Sequence, residues 1–278
     1  MLKRILVTGA SGFIGGAFCS YLRSLKGVFF QGIGRKKPKQ AFCKNYFQLD
    51  LLDKNRLRKF LTRNKPSLIF HLAGSCQGDP KTMFNANIVT TINLFESIRS
   101  ISRYQPRIIV IGSAAEYGNR PRPFRPISEQ SLISPLDING LSQALEIQRA
   151  LLYAQLGEDV VIARFFNIMG PGTPDHLAAG RFARQIIDSE YQPNPKVFTV
   201  GNLSGVRDFL DIRDICEALY ILSLKGKSSI SDYQDALRSI QYNNKDKKPN
   251  HSSRKFIFSL SDGKNTSKPT LDCFPVDI

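Results

Sequence analysis

The sequence predicts an α/β fold with a doubly wound parallel sheet, and two observations lead to this prediction. Short apolar runs of strand length alternate with longer stretches whose apolar residues recur at helical spacing. A glycine-rich turn lies directly between the first apolar run and the first helical stretch. Alternating strands and helices are typical of a parallel sheet that is covered by helices on both faces.

The predicted elements follow one another along the first 225 residues. Continuous apolar runs predict buried parallel strands, because such strands face helices on both sides. The predicted strands are 4–8, 28–33, 68–72, 108–111 and 159–163. The first helix is predicted from Phe13 to Leu25, where the apolar residues share one face. Further helices are predicted at 53–63, 84–101 and 140–156.

Composition and charge exclude several classes of protein. The 278 residues are 42% hydrophobic and 22% charged, as in a globular chain and unlike a disordered or collagen-like one. No run of about 18 or more apolar residues is present, and the N-terminal apolar run is too short for a secretory signal. The formal charge of +16 attracts polyanions in general. Because the basic residues are dispersed and form no nucleic-acid motif, a nucleic-acid partner is disfavoured.

The cysteines and histidines predict neither a disulfide framework nor a metal centre. Five cysteines are scattered without a C-x-x-C pair, and His71, His176 and His251 lie far apart in the sequence. Unpaired thiols are typical of a reducing compartment, so we expect a cytoplasmic protein.

The glycine turn spans Gly9 to Gly15 with the spacing G-x-x-G-x-x-G. A tight turn, close approach of the backbone to a pyrophosphate and close packing of helix on strand all favour residues without a Cβ atom. The helix that begins there directs N–H groups and the positive end of its dipole at the phosphates. We therefore predict a dinucleotide cofactor, held by Gly9, Ser11, Gly12, Phe13, Ile14 and Gly15.

The end of the second predicted strand favours NADP over NAD. An acidic residue at this place would accept hydrogen bonds from the adenosine ribose of NAD. The sequence instead has Gly34-Arg35-Lys36-Lys37, whose cationic groups suit a 2′-phosphate, with Arg35 as the leading candidate. An exposed basic turn without a ligand is the alternative interpretation.

Further motifs follow in order along the chain: Asp50-Leu51, His71–Gly74, Asn87, Gly112–Gly118, Arg164–Gly172, and Arg207-Asp208-Phe209 with Asp211 and Asp214. Together with the glycine turn, they make residues 3–225 resemble the extended short-chain dehydrogenase/reductases, in the NAD(P)-dependent epimerase/dehydratase family acting on nucleotide sugars. The resemblance implies a Rossmann-like domain. It also implies further cofactor contacts, from Asp50, Leu51, Leu72, Ala73 and Gly74.

Within this family, the GDP-4-keto-6-deoxymannose reductases show the nearest resemblance, through Gly112–Gly118 and Gly170–Arg184. This resemblance implies that Ser113 holds the reacting oxygen of the sugar. It also implies substrate-binding roles for Asn167, Arg181 and Arg207. Dehydratases of the family carry a glutamate where this chain has Ala115, so reduction or epimerisation is favoured over dehydration.

The chain departs from the family at its catalytic pair. Family members use a Tyr-x-x-x-Lys pair, one helical turn apart, to transfer the proton and to place the cofactor. The matching positions here are Asn139 and Gln143, and neither amide ionises near neutral pH. Since general acid–base catalysis contributes about 10²- to 10⁴-fold, turnover is in question. Tyr117 is a candidate substitute donor, and a packed, non-catalytic tyrosine is the alternative.

Two functions therefore remain open. The first is an NADP-dependent reductase of a nucleotide-linked 4-keto-6-deoxy sugar. The second is a non-catalytic relative that binds NADP or a nucleotide sugar, as a sensor or as the partner of another protein. The resemblance also implies a homodimer formed through the helices near 84–101 and 140–156.

Three regions are expected: a dinucleotide-binding domain at 1–165, a small C-terminal substrate lobe at 166–225 and a polar tail at 226–278. The tail is rich in Ser, Lys, Asn and Asp, and Phe256–Phe258 is its one strand-like run. Such a composition predicts weak packing or partial disorder. The lobe is expected to be incomplete, because family members continue with a strand and helices that the tail echoes only faintly.

Overall fold

The computed structural model describes residues 4–38, 43–118, 127–190, 208–224 and 260–261. Within this part of the chain, one large sheet has the strand order β3-β2-β1-β4-β5-β6-β9. Its strands are β1 (Ile5–Thr8), β2 (Phe30–Gly34), β3 (Tyr46–Gln48), β4 (Leu68–His71), β5 (Arg107–Ser113), β6 (Val160–Phe165) and β9 (Leu260–Ser261). The first six strands are parallel, and β9 pairs antiparallel to β6.

Helices connect the parallel strands and cover the sheet. They are α1 (Phe13–Ser24), α2 (Lys54–Asn64), α3 (Pro80–Phe84), α4 (Thr90–Arg99), α5 (Ile138–Gln155), α6 (Ala178–Glu190) and α7 (Ile212–Leu224). A π-helical turn at Asn85–Val89 joins α3 to α4, and a 3₁₀ turn at Ala114–Tyr117 follows β5. All predicted strands and helices of the first 165 residues are therefore confirmed in type.

The core has two halves, one on each face of the sheet. On one face, α1 and α7 pack against residues such as Val7 and Phe70. On the other, α2, α4 and α5 pack against residues such as Leu6 and Ile69. All four residues of β1 and of β4 are buried, as their continuous apolar runs predicted. The doubly wound, Rossmann-like fold class is thus confirmed.

Several elements were not predicted, and three of these features bear on the site. Strand β3 is short and partly exposed, and it lacks the continuous apolar run by which the other strands were predicted. Strands β7 (Asn167–Met169) and β8 (Phe209–Asp211) form a second, two-stranded parallel sheet. Helix α7 follows β8 and packs its buried face against α1, within the main core.

The three predicted regions stay a prediction. The predicted strand at Phe256–Phe258 lies outside the described residues, as does the rest of the tail apart from β9.

Candidate functional site

The site lies where the direction of chain winding reverses between β1 and β4. Strands β2 and β3 lie on one side of β1, whereas β5 and β6 lie on the opposite side of β4. This reversal leaves a crevice beyond the carboxyl ends of β1 and β4. Gly9 turns there with φ of +65°, and a Cβ atom on it would lie 2.5 Å from the carbonyl oxygen of Leu72. The close approach of these two turns therefore requires glycine at this position.

The start of α1 presents open backbone donors. Gly12 is the N-cap residue and supplies no side-chain hydrogen bond to the first turn. Gly15 is buried, and a Cβ atom there would overlap the backbone of Gly9, so the helix can pack against the turn only with glycine. The free N–H groups and the helix dipole form a site for an anion such as a pyrophosphate.

A cleft of about 1120 Å³ opens above this turn. It is lined by ten of the twelve predicted cofactor residues: Gly9, Ser11, Gly12, Phe13, Arg35, Asp50, Leu51, Leu72, Ala73 and Gly74. The other two serve packing, because Ile14 contacts the hydrophobic core and Gly15 is buried in α1. The glycine turn, the N-terminus of α1 and the volume of the cleft all fit a bound dinucleotide.

The basic turn after β2 forms one end of this cleft. Arg35, Lys36 and Lys37 are exposed and line it. Two side chains of β3 hold the backbone of the turn: the Tyr46 hydroxyl donates to the carbonyl of Lys36, and Gln48 Nε2 donates to that of Arg35 at 2.9 Å. The cations are thus fixed at the backbone while their side chains remain available to a ligand.

A buried hydrogen-bond network supports the floor of the cleft. Thr8 Oγ1 accepts the N–H groups of Leu72 and Ala73 at 3.1 and 3.2 Å, which leaves its hydrogen for His71 Nδ1 at 2.9 Å. His71 Nε2 must then carry the ring hydrogen, and it lies 2.8 Å from Thr91 Oγ1. Burial lowers the pKa of His71 to about 4, so the ring is neutral.

The network ends at Glu146 on α5. The Thr91 hydroxyl lies 2.6 Å from the Asn87 carbonyl and 3.0 Å from Glu146 Oε1, but it has one hydrogen to donate. Burial raises the pKa of Glu146 well above its usual value. A protonated Glu146 that donates to Thr91 satisfies every member of the network without a buried charge.

The Ser113 segment is held by a buried ion pair. Ser113 caps the 3₁₀ turn, and Glu116 Oε1 accepts its N–H at 2.6 Å. Glu116 is fully buried and accepts from Arg164 Nε at 2.8 Å. Burial raises the pKa of Glu116, while Arg164 opposes that shift. Ser113 itself is half-buried on this rigid support.

Tyr117 lies deep in the protein. Its side chain is 2% exposed, and the Arg164 guanidinium is 5.5 Å from the centre of its ring. The hydroxyl oxygen has no access to solvent in this arrangement. The position favours the packing interpretation over a role as proton donor.

Asn139 and Gln143 lie one turn apart in the first half of α5. Gly140 lets this part of the helix pack against the backbone of Ala115, so Asn139 lies beside the turn that Ser113 caps. Asn139 Oδ1 and Gln143 Oε1 are both buried and have no hydrogen-bond donor among the described residues. An unsatisfied buried acceptor costs about 1–3 kcal/mol.

Asn87 fixes this half of α5 to the loop after β4. Its amide Nδ2 donates to Ser142 Oγ at 2.8 Å and to the carbonyl of Ser75, while its Oδ1 accepts the Ser75 N–H at 2.7 Å. Because Ser142 lies between Asn139 and Gln143 on α5, these hydrogen bonds hold the two amide positions relative to the loop after β4. In the described structure, however, Ser113, Asn139 and Gln143 do not line the cleft.

Of the three predicted substrate residues, the structure describes Asn167 and Arg181, and neither lines the cleft. Asn167 Nδ2 donates to the Asp208 carbonyl at 2.7 Å and so joins β7 to β8. Arg181 is exposed on α6 and does not line the cleft. Arg207 lies outside the described residues.

Arg213 is a cleft residue that the sequence did not identify. It is the second residue of α7, lines the cleft and makes a two-point ion pair with Asp211, at 2.9 and 2.6 Å. It occupies an unspecified position of the motif that starts at Arg207, so no sequence signal marked it.

No helix in the described residues has both the length and the apolar character needed to cross a membrane. Across the same residues, no group of three or more metal-binding side chains is arranged to hold a metal ion.

Comparison with known sequences gives consistent relatives. The chain is 27% identical over 234 residues to the GDP-6-deoxy-D-mannose reductase of Pseudomonas aeruginosa, covering 82% of this chain and 73% of that protein. It is 26% identical over 231 residues to the GDP-6-deoxy-D-talose 4-dehydrogenase of Aggregatibacter actinomycetemcomitans, covering 80% and 70%.

Solved structures share the fold. RMD from Pseudomonas aeruginosa complexed with NADPH superposes with a TM-score of 0.67 at 27% identity, over 80% of this chain and 72% of that one. MoeE5 in complex with UDP-glucose and NAD gives a TM-score of 0.67 at 25% identity, over 81% and 73%. These relatives bind a nicotinamide dinucleotide, in either the phosphorylated or the unphosphorylated form.

The fold and the cleft define a dinucleotide-binding α/β protein of the nucleotide-sugar reductase and epimerase class. The model of the NAD dependent epimerase/dehydratase family matches residues 5–233, and the chain belongs to this family.

Proposed function

We propose that this protein binds NADP(H) and a nucleotide-linked 4-keto-6-deoxy sugar, and that it binds them without efficient turnover. The observation that carries the proposal is the pair of buried amide oxygens on Asn139 and Gln143. They stand where the family has its tyrosine and lysine, and a side-chain amide supplies no acid at either position.

The cofactor side of the proposal rests on charge. Arg35, Lys36 and Lys37 at one end of the cleft suit the 2′-phosphate of NADP, and the open N–H groups of α1 suit the pyrophosphate. When bound, the nicotinamide would supply or accept hydride. Similar structures were solved with NADPH and with NAD, so the choice of NADP depends on the basic turn.

The substrate side rests on the Ser113 segment. Its hydroxyl is half-buried and is positioned by the Glu116–Arg164 ion pair beside the start of α5. A serine at this point can donate a hydrogen bond to a sugar carbonyl. Similarity to reductases and dehydrogenases of GDP-linked 6-deoxy sugars favours a substrate of that chemical class.

A slow reductase is the second candidate, favoured by the same relatives and by the retained Ser113. Without a side-chain acid, the proton would have to come from water. We expect such turnover to be about 10²- to 10⁴-fold below that of a family member with an intact pair.

One experiment separates the two candidates. NADPH consumption is measured with GDP-4-keto-6-deoxymannose for the natural chain, for the Asn139→Tyr/Gln143→Lys double variant and for Tyr117→Phe. Turnover only in the double variant supports a binding protein. Turnover in the natural chain that Tyr117→Phe leaves unchanged supports the slow reductase. Absence of NADPH binding in direct titration would overturn both.

We also propose a homodimer formed through the outer face of α5. Ile138, Leu141, Leu145 and Leu152 follow one another at helical spacing, and each is 36–40% exposed. An apolar stripe of this kind is stabilised when a second copy covers it.

A further inference from the structure

A thiol and an imidazole meet outside the residues assigned above. Cys76 Sγ lies 3.6 Å from His176 Nε2, although the two residues are 100 positions apart in the sequence. Cys76 belongs to the loop after β4, and His176 belongs to the segment between β7 and α6. Both residues are exposed, so reagents in solution can reach the pair.

The other described cysteines lack this combination. Cys19, Cys43 and Cys216 are buried, whereas Cys76 is exposed. A hydrogen bond from Cys19 lowers the pKa of Cys43 to about 7, but the side chain of Cys43 is 5% exposed. Reactivity of a thiol requires both proton removal and access, and only Cys76 among these residues offers a base together with access.

The pair lies next to the cofactor cleft. Cys76 comes two residues after Gly74, and His176 comes two residues after Pro174, and both of those residues line the cleft. A bulky group attached to Cys76 would therefore stand where these two segments border the opening.

We infer that Cys76 and His176 form a thiol-modification site that reacts with low-molecular-weight disulfides. His176 Nε2 takes the thiol proton as Cys76 Sγ attacks one sulfur of the disulfide. A new S–S bond joins Cys76 to that sulfur, the original S–S bond breaks, and the leaving thiolate takes the proton from the imidazolium. Cys76 is oxidised to a mixed disulfide and the other half of the reagent is reduced to a thiol.

The test uses oxidised glutathione and the full chain, with Cys273→Ser in every protein because Cys273 lies outside the described residues. Adduct formation is followed by intact mass and located by peptide mapping. One glutathione is expected on Cys76, none on Cys76→Ser, and at least about tenfold slower addition to His176→Asn, since a general base is removed. An equal rate in His176→Asn, or an adduct mainly on Cys43, would overturn the inference.

A second measurement tests the position of the adduct, and it rests on the proposed function. NADPH is titrated into the chain before and after glutathione addition. We expect at least about tenfold weaker binding after modification, and recovery when a reductant removes the adduct. Unchanged affinity would remove the link to the cleft but leave the modification site, whereas absence of NADPH binding before modification would count against the proposed function alone.

Discussion

Glu146 Oε1 lies 3.7 Å from His71 Nε2 in the interior, and burial shifts the pKa values of the two groups in opposite directions. Burial raises the pKa of the carboxyl well above its usual value and lowers that of the imidazole to about 4, so burial favours the uncharged form of each group. The hydroxyl of Thr91 links the two groups, since it lies 2.8 Å from His71 Nε2 and 3.0 Å from Glu146 Oε1. Two opposite dependences of stability on pH follow.

The Glu146→Gln variant should be more stable relative to the natural chain as pH rises. The folded protein keeps a proton on Glu146 that the unfolded chain releases above about pH 4.3. Stability is therefore lost as pH rises through the interval between the unfolded and folded pKa values, and a non-titrating amide removes this loss. Thermal unfolding at pH 5 to 8 measures the effect. The matched control is Glu217→Gln on the exposed face of α7, and an equal response of both variants would contradict the prediction.

His71 should destabilise the natural chain at low pH. The unfolded imidazole binds a proton below about pH 6.5, whereas the buried ring does so only near pH 4. The free energy of unfolding should fall by up to about 3 kcal/mol between these values. Urea unfolding at pH 4.5 to 7 measures the slope, which His71→Gln should flatten. A slope that His71→Gln does not change would assign the effect to other groups.

Gly9→Ala should destabilise the protein by about 2–4 kcal/mol and abolish dinucleotide binding. The alanine would combine a left-handed backbone with a Cβ atom 2.5 Å from the Leu72 carbonyl oxygen. Gly27→Ala is the matched control, because Gly27 has φ of +75° but no atom within 4 Å of its Cβ position. We expect a cost of about 1–2 kcal/mol there. Equal losses in urea unfolding would show that backbone strain alone matters.

Replacing Arg35 and Lys36 by serine should weaken NADPH binding about 10²- to 10⁴-fold, because each of the two charged hydrogen bonds contributes about 1.5–3 kcal/mol. NADH lacks the 2′-phosphate, so its binding should change little. Replacing Arg58 and Lys59 by serine on the exposed face of α2 removes the same two charges and controls for net charge. Dissociation constants from fluorescence titration at two salt concentrations give the comparison, and an equal loss for NADH would refute 2′-phosphate recognition.

Leu141→Glu/Leu145→Glu should convert the proposed dimer into a monomer, because charges would replace the apolar side chains of the α5 face. Leu132→Glu is the control, since Leu132 is 78% exposed outside that helix. Light scattering after gel filtration measures the mass. A monomeric natural chain would contradict the proposal directly.

The sequence by itself determined the fold class and most of the residues of the glycine turn that border the cleft. Continuous apolar runs such as Leu68–His71 require cover on both faces, and Gly9 and Gly15 mark places where backbone approaches backbone. These are local requirements, so local patterns reveal them. The substitution at Asn139 and Gln143 was likewise visible from their positions in the motif.

Only the tertiary structure decided which side chains share an environment. Thr91 and Glu146 complete a network that starts at Thr8, through contacts between residues 20 to 63 positions apart, and Cys76 meets His176 across 100 positions. Burial, which sets the protonation of Glu146 and removes Tyr117 from solvent, depends on every element that packs around a residue. No spacing along the chain encodes such an environment, because it is created when distant segments exclude water together.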